Sequence, residues 1–178
     1  MNNLKPHMLR DPENYDYEFV KTEIESITDK RDKALICFLY ASAGRVSEAN
    51  RVCSKDITTQ TINNIEYLII RIVTLKKRNA TDVYRQVPIR LDESWLAKPI
   101  LDYASVCQSR LFPLHRATIY RKCMSNTGFN PHGFRKLRLT HLAQKYKFTD
   151  QQLVKFAGWA DSRPASIYAK MNLEDIAY

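Results

Sequence analysis

Glycine is scarce in this chain, which has only four glycines among its 178 residues. The phosphate-cradling loop of a nucleotide-binding enzyme needs a Gly-rich motif, and the sequence contains no such motif. Cysteine is equally sparse, and the sequence contains neither a C-x-x-C pair nor a secretory signal. We therefore expect a reduced, intracellular setting and four buried or half-buried thiols, at Cys37, Cys53, Cys107 and Cys123.

Long apolar runs and clustered metal ligands are also missing. The longest apolar run, roughly residues 34–43, is far shorter than the about eighteen residues of a membrane span, so we do not expect a membrane protein. The histidines lack metal-ligand spacing to one another or to cysteine, and no group of Asp and Glu is typical of a two-metal nuclease. If the chain acts on phosphate, we expect it to use neither a metal ion nor a nucleotide cofactor.

Positive charge is what the sequence has in excess. It contains 28 Lys and Arg against 19 Asp and Glu, which leaves a formal net charge of +9. Such a balance favours a polyanionic partner such as nucleic acid, although many basic proteins have no such partner. The length corresponds to one ordinary domain with a core of its own.

The pattern of apolar residues predicts a mainly α domain with a small antiparallel sheet (α+β). Residues 1–14 read as a flexible lead-in, and residues 15–178 as the domain. A segment with the sequence ALICFLYA is apolar on all sides, which predicts a buried helix. Residues 66–74 and 83–89 predict the two strands of a hairpin. Helices are predicted over residues 15–27, 31–43, 92–108 and 116–125.

The next helix begins at Asn130 and Pro131, since asparagine is a good N-cap and proline fits the first helical position. His132 and Arg135 are three residues apart and share one face of its first turns. A helix N-terminus with two such side chains can bind an anion; alternatively, they only cap the helix and contact solvent. The same face is predicted to continue inward through Leu139, Leu142, Ala143 and Tyr146.

Two further cap signals follow towards the C-terminus. Thr149 and Gln152 form a capping box for a helix that ends at Gly158. Ser162 is predicted to cap a last helix, which carries Tyr168. Upstream, Gly44 ends the buried helix, and Arg45 follows it.

These motifs, in this order, resemble those of the tyrosine recombinase (phage-type integrase) family. HGFR, at residues 132–135, is similar to the family's His-x-x-Arg motif. Gly158 and Trp159 match its Gly followed by His or Trp, and Tyr168 lies nine residues after Trp159, where the family has its nucleophile. AGRVSEA, at residues 43–49, is similar to the segment that carries the family's first arginine.

A hairpin supplies the remaining element of the resemblance. In the family its turn carries a lysine and its second strand ends in Arg-x-Val-Pro-aliphatic; TLKKRNATDVYRQVPI, at residues 74–89, is similar, with Lys76 at the lysine position. The resemblance covers nearly everything from about Tyr17 to the C-terminus. It implies an integrase-type catalytic domain of DNA breaking-rejoining enzymes.

The resemblance also implies a role for each motif residue. Tyr168 is expected to attack a DNA phosphodiester and form a covalent 3′-phosphotyrosine with a free 5′-hydroxyl. Arg45 and Arg135 are suited to the non-bridging oxygens, because a guanidinium is a planar fork that keeps its charge. His132 is expected to accept the tyrosine proton or to donate to the phosphate. The indole N–H of Trp159 can only donate, which supports an orienting role.

The hairpin and its neighbours complete the expected site. Lys76 is the expected general acid for the 5′ oxygen, with Lys77 as a rival because the register of a turn is uncertain by one residue. Glu48 is expected as an ion-pair or hydrogen-bond partner that supports the first motif arginine. The expected DNA contacts outside the chemistry are Lys77, Arg78 and Arg138.

The sequence thus predicts a DNA recombinase or integrase of a virus or mobile element, with double-stranded DNA as partner and self-association on DNA as a dimer or tetramer. Relatives usually carry a separate N-terminal DNA-gripping domain, which we do not expect in this chain. A type IB topoisomerase-like relaxase is a neighbouring possibility, with similar chemistry but no exchange of strands. A catalytically idle DNA-binding module on the same scaffold is the alternative from another class.

Overall fold

The structure is a computed structural model that describes residues 17–74, 83–159 and 163–164. Within these residues, helices pack against one face of a small antiparallel sheet, which confirms the predicted α+β class. A 3-10 turn, Ser54–Asp56, precedes the sheet. The elements in chain order are α1 (Tyr17–Glu25), α2 (Lys30–Ala41), α3 (Val46–Ala49), β1 (Ile57–Ile62), β2 (Ile65–Thr74), β3 (Val83–Arg90), α4 (Ser94–Val106), α5 (Arg116–Thr127), α6 (Pro131–Gln144) and α7 (Asp150–Ala157).

Helix α2 runs through the middle of the core, as its all-round apolar sequence predicts. Every residue from 34 to 41 is buried, and the helix packs against α4 and α6. Asp29 caps its start by accepting a hydrogen bond from the backbone N–H of Asp32 at 2.8 Å. It ends at Ala41, two residues before the predicted boundary, and Ala43 adopts the left-handed conformation with φ of 48°. This turn carries the chain to α3.

Helix α6 begins where the sequence predicts and is more deeply buried than predicted. Asn130 accepts a hydrogen bond from the N–H of Gly133 at 2.7 Å, and Pro131 is the first helical residue. The predicted inward face is confirmed for Leu139 and Leu142, which are buried, whereas Ala143 is half-buried and Tyr146 lies beyond the end of the helix. Polar side chains on other faces are buried too, because α2, α5 and α7 all contact this helix.

The sheet has the order β1-β2-β3, and both pairings are antiparallel. The predicted hairpin is confirmed as β2 and β3, with Ile70 opposite Val87. Strand β1 was not predicted, because residues 58–61 are exposed polar side chains that show no apolar alternation. The core face of the sheet is formed by Leu68, Ile70, Ile72, Val87 and Ile89.

The turns that end α5 and α7 follow the predicted chemistry. Gly128 and Gly158 cap these helices in the left-handed conformation, with φ of 78° and 68°. The capping box of α7 is present, because the hydroxyl of Thr149 accepts from the N–H of Gln152 at 3.3 Å. Of the thiols, Cys37 and Cys123 are buried and the other two half-buried, as predicted. Among the described residues, no helix combines the length and the apolar composition needed to cross a membrane.

Arg138 corrects one prediction of a DNA contact. Its side chain is only 2% exposed. Its guanidinium lies 3.6 Å from the carboxylate of Glu93 and 5.3 Å from the ring centroid of Tyr40. A side chain buried in this way does not reach a DNA backbone, so the prediction for Arg138 is wrong. The residue instead joins α6 to the start of α4.

Candidate active site

A pocket with a volume of about 910 Å³ opens where the turn before α3, the start of α5, the start of α6 and the end of α7 meet. The described residues that line it include four arginines and one histidine, and no Asp or Glu. Four of the predicted site residues lie on it together: Arg45, His132, Arg135 and Trp159. A concave surface with this charge can bind an anion.

Arg45 reaches the pocket from the tight turn after α2. A β-carbon on Gly44 would lie 2.6 Å from the hydroxyl oxygen of Ser42, so only glycine fits there without a shift. The backbone N–H of Arg45 donates to Glu48 Oε2 at 2.7 Å. In the side chain, Arg45 Nη1 lies 3.5 Å from Glu48 Oε1. The predicted contact between the two residues is therefore present. Because 46% of the Arg45 side chain is exposed, its other N–H groups remain accessible from the pocket.

Arg135 is held more tightly than Arg45. The residue is 7% exposed, its Nη1 donates to the carbonyl of Ala43, and its Nη2 donates to the carbonyl of Ala157 at 3.1 Å. Its guanidinium also lies 5.7 Å from the ring centroid of Trp159. Arg135 therefore joins the turn that carries Arg45 to the end of α7, and it presents a fixed cationic edge to the pocket.

His132 lies in the first turn of α6 and is exposed on the pocket. Partial burial of its ring lowers its pKa, and the positive charges of Lys136 and Arg135 lower it further. A neutral imidazole has one acceptor nitrogen and one donor, so His132 can take up a proton near neutral pH.

The chain beyond α7 returns to the same pocket. The backbone N–H of Trp159 donates to the carbonyl of Val154 at 3.0 Å, which continues the helical turn past Gly158. Pro164 also lines the pocket, four residues before Tyr168 in the sequence. Tyr168 itself lies outside the described residues, as do the predicted cap Ser162 and the lead-in. The hairpin cations are outside them too: Lys76, Lys77 and Arg78.

Arg85 is a buried residue of the site region to which sequence reasoning gave no role. Its Nη2 lies 3.1 Å from Glu48 Oε2, and its Nη1 donates to the carbonyl of Ser42 at 3.1 Å and to that of Phe156. The signal for it was present in the sequence. Arg85 alternates with Val87 and Ile89 on the buried face of β3, where an arginine needs a buried partner.

Three more lining residues were not predicted as site residues: Arg51, Arg116 and Tyr120. Arg51 lies just after α3, and Arg116 and Tyr120 lie four residues apart on one face of α5. No motif marks them, so only the three-dimensional arrangement brings them to the site. In the described part of the chain, no three His, Cys, Asp or Glu side chains gather in a way that could hold a metal ion.

Solved structures of DNA recombinases share this fold. The chain is 22% identical to the XerH site-specific recombinase in its pre-cleavage complex with difH substrate; the match covers 92% of this chain and 51% of that one, with a TM-score of 0.63. The chain is 18% identical to XerA recombinase; the match covers 91% of this chain and 61% of that one, with a TM-score of 0.69. The chain is 14% identical to the Tn1549 transposon integrase in complex with circular intermediate DNA. That match covers 89% of this chain and 60% of the integrase chain, with a TM-score of 0.58.

This chain thus spans about half to three fifths of the length of these relatives. No curated protein sequence matches it. The match to a family is direct, however, because the model of the phage integrase family aligns with residues 16–174. This is nearly the whole chain, and the protein belongs to the phage integrase family, the tyrosine recombinases.

Proposed function

We propose that the chain is the catalytic domain of a site-specific DNA recombinase or integrase, which cleaves and rejoins strands through a covalent phosphotyrosine. One observation carries the proposal. Arg45, His132, Arg135 and Trp159 come from three segments far apart in the sequence, yet they line one pocket whose described lining contains no acidic residue. Such a set of donors matches the charge that develops on a phosphoryl group under attack.

The phenolic oxygen of Tyr168 bonds to phosphorus, and its proton passes to His132, whose lowered pKa keeps the imidazole neutral at the start. Arg45 and Arg135 donate to the non-bridging oxygens, and the indole of Trp159 orients the phosphate. The bond from phosphorus to the 5′ oxygen breaks, and a lysine of the hairpin, Lys76 or Lys77, protonates the leaving oxygen.

Reversal of the same step by a 5′-hydroxyl rejoins DNA without an external energy source. If that hydroxyl belongs to another duplex, the result is recombination. Double-stranded DNA is the proposed substrate, supported by the family and by the basic charge of +9. Exchange between duplexes requires more than one active site, so we also propose self-association on DNA.

The arginines supply the charge stabilisation in this scheme, so we propose that no metal ion is required. The test uses two differently labelled duplexes, drawn from a randomised pool, in the presence of a chelator. We expect covalent strand exchange between them. Relaxation of supercoils without exchange would indicate a topoisomerase-like relaxase. Binding without cleavage would indicate an idle DNA-binding module, and recovery of cleavage only with added divalent cation would refute metal independence.

A further inference from the structure

Two cations of the pocket take no part in the proposed chemistry. Arg51 follows α3, and Arg116 is the first residue of α5; both are exposed, and both line the pocket. Neither guanidinium has a hydrogen-bond or ion-pair partner among the described residues, whereas Arg45 and Arg135 have theirs. Their charges are therefore available to a ligand.

Exposed cations elsewhere on the described surface include several paired with nearby acids. Arg90 lies against Asp92, and Lys98 donates to Asp102 at 2.8 Å. In the pocket, four arginines share a lining that contains no described acid. Glu48, which pairs with Arg45, balances one of these charges, so the lining stays positive and attracts an anion. The pocket is therefore expected to bind an anion more readily than an ordinary solvated surface does.

The elements that carry the two arginines are held to each other. Asn50 follows α3, and its side-chain NH₂ donates to the carbonyl of Leu114, just before α5. Its side-chain oxygen accepts from Arg110 Nη1 at 3.3 Å. Asn50 thus fixes the separation between the end of α3 and the start of α5, so the two arginines do not have to be brought together when a ligand binds.

The size of the pocket exceeds what one phosphate needs. Pockets of roughly 300–1,000 Å³ accommodate drug-sized ligands, and the volume of about 910 Å³ lies near the top of that range. A phosphodiester held by Arg45 and Arg135 leaves room for the neighbouring part of a DNA strand.

We propose that Arg51 and Arg116 form a second phosphate subsite, which holds a phosphodiester next to the one that is cleaved. The proposal rests on the proposed function, because it takes a DNA strand as the ligand. A subsite of this kind sets the register of the strand, since a phosphate contact fixes position without reading the base. The attacked phosphate is then placed by its neighbour as well as by its own ligands.

The test compares two double variants with equal loss of charge. Arg51→Gln/Arg116→Gln removes the subsite. Arg121→Gln/Lys55→Gln is the matched control, because Arg121 is exposed on the same helix as Arg116, Lys55 is exposed near Arg51, and neither lines the pocket. Duplex affinity of the full chain is measured against salt concentration, and melting temperatures verify folding.

Each phosphate contact contributes about 0.9 to the slope of log K against log salt. We expect the subsite variant to lose about one from the slope of the parent, and the control to lose less than half of that. Equal losses in the two double variants would refute the subsite while leaving DNA binding intact. If the parent itself shows no duplex binding at low salt, the proposed function fails instead.

Discussion

Arg45 and Arg135 occupy the pocket in different ways, and single substitutions should separate them. Arg135 is buried and spans the carbonyls of Ala43 and Ala157, whereas the Arg45 side chain is half-exposed and pairs only with Glu48 among the described residues. Arg135 therefore has a structural task in addition to its proposed contact with phosphate. Arg45 has no such span to maintain, so its proposed role lies mainly in the chemistry.

Lysine at either position should slow cleavage by at least about a hundredfold, comparable to the loss of one transition-state donor. Arg135→Lys should also lower the melting temperature, because one ammonium cannot span both carbonyls. Arg45→Lys should leave melting and duplex binding nearly unchanged. The measurements are single-turnover cleavage and thermal melting. A variant that folds and cleaves at the parent rate would show that its arginine takes no part in the chemistry.

The proposed role of His132 as proton acceptor predicts how the cleavage rate depends on pH. Its lowered pKa keeps the imidazole neutral near pH 7, and a proton acceptor is lost when the ring becomes charged. The cleavage rate should therefore fall as pH decreases through this pKa, which lies below the ordinary value for histidine. Lys136→Met removes one of the cations that lower the pKa, so the acidic limb should move to higher pH.

Lys155→Met is the control for this comparison, because Lys155 is exposed on α7 and does not line the pocket. Its acidic limb should coincide with that of the parent. A rate that rises on acidification in the parent would show that charged His132 donates to the phosphate, the other role that the sequence leaves open.

Among the secondary-structure elements, Arg85 joins β3 to the ends of α2 and α7. Arg85→Met leaves Glu48 buried with Arg45 as its remaining ion-pair partner, and it removes a donor from two carbonyls. Loss of one partner of a buried ion pair costs about 3–5 kcal/mol. We expect a decrease of this size in the free energy of unfolding, measured with urea.

The double variant Arg85→Met/Glu48→Gln should lose less than the sum of the two single changes, because the carboxylate that lost its buried partner is then absent. Arg71→Met, at an exposed arginine of β2 that stacks on the ring of Tyr84, provides the reference for a strand arginine outside the core. Additive effects, or a loss at Arg85 no larger than at Arg71, would contradict the role assigned to this contact.

The chain between β2 and β3 carries the two lysines proposed as general acid, Lys76 and Lys77. Lys76→Ala should cleave ordinary DNA poorly, because an alkoxide leaves badly without a proton. Replacement of the bridging 5′ oxygen by sulfur should restore its cleavage, since a thiolate has a pKa of about 8.5 and departs without help. Arg135→Ala should remain defective on the sulfur substrate. If the sulfur substrate restores cleavage only to Lys77→Ala, Lys77 is the general acid. If it restores cleavage to neither variant, neither lysine protonates the leaving oxygen.

The described helices were predicted well because the residues that start, end and bury a helix lie close together in the sequence. The caps at Asn130 and Thr149 require only a few neighbouring residues, and the buried helix α2 is apolar on every side. Strand β1 was missed because its exposed residues carry no apolar pattern. Arg138 was misplaced because its partners, Glu93 and Tyr40, are distant in the sequence, and no local signal shows that they will meet it.

Across the whole molecule, the site depends on long-range packing. The order of family motifs predicted that Arg45 belongs with His132 and Arg135, and the structure places all three on one pocket. Spacing alone could not have shown this, because helices α2 and α6 must first pack together. Arg51 and Arg116 belong to no motif, so their presence in the pocket could be learned only from the fold.

Two tyrosines compete for the central role in this account. Tyr168 has the family's register from Trp159, whereas Tyr120 lines the pocket and is 47% exposed. The identity of the covalently modified tyrosine therefore tests the proposal most directly. A randomised pool of nicked duplexes traps the covalent intermediate, because the cleaved end diffuses away before it can rejoin.

Proteolysis and mass spectrometry then identify the residue that carries the nucleotide. We expect the adduct on Tyr168, and we expect none with Tyr168→Phe, which removes a single oxygen and should change folding and duplex affinity little. Tyr120→Phe should retain the adduct. An adduct that persists in Tyr168→Phe, or that maps to Tyr120 or Tyr178, would contradict the account.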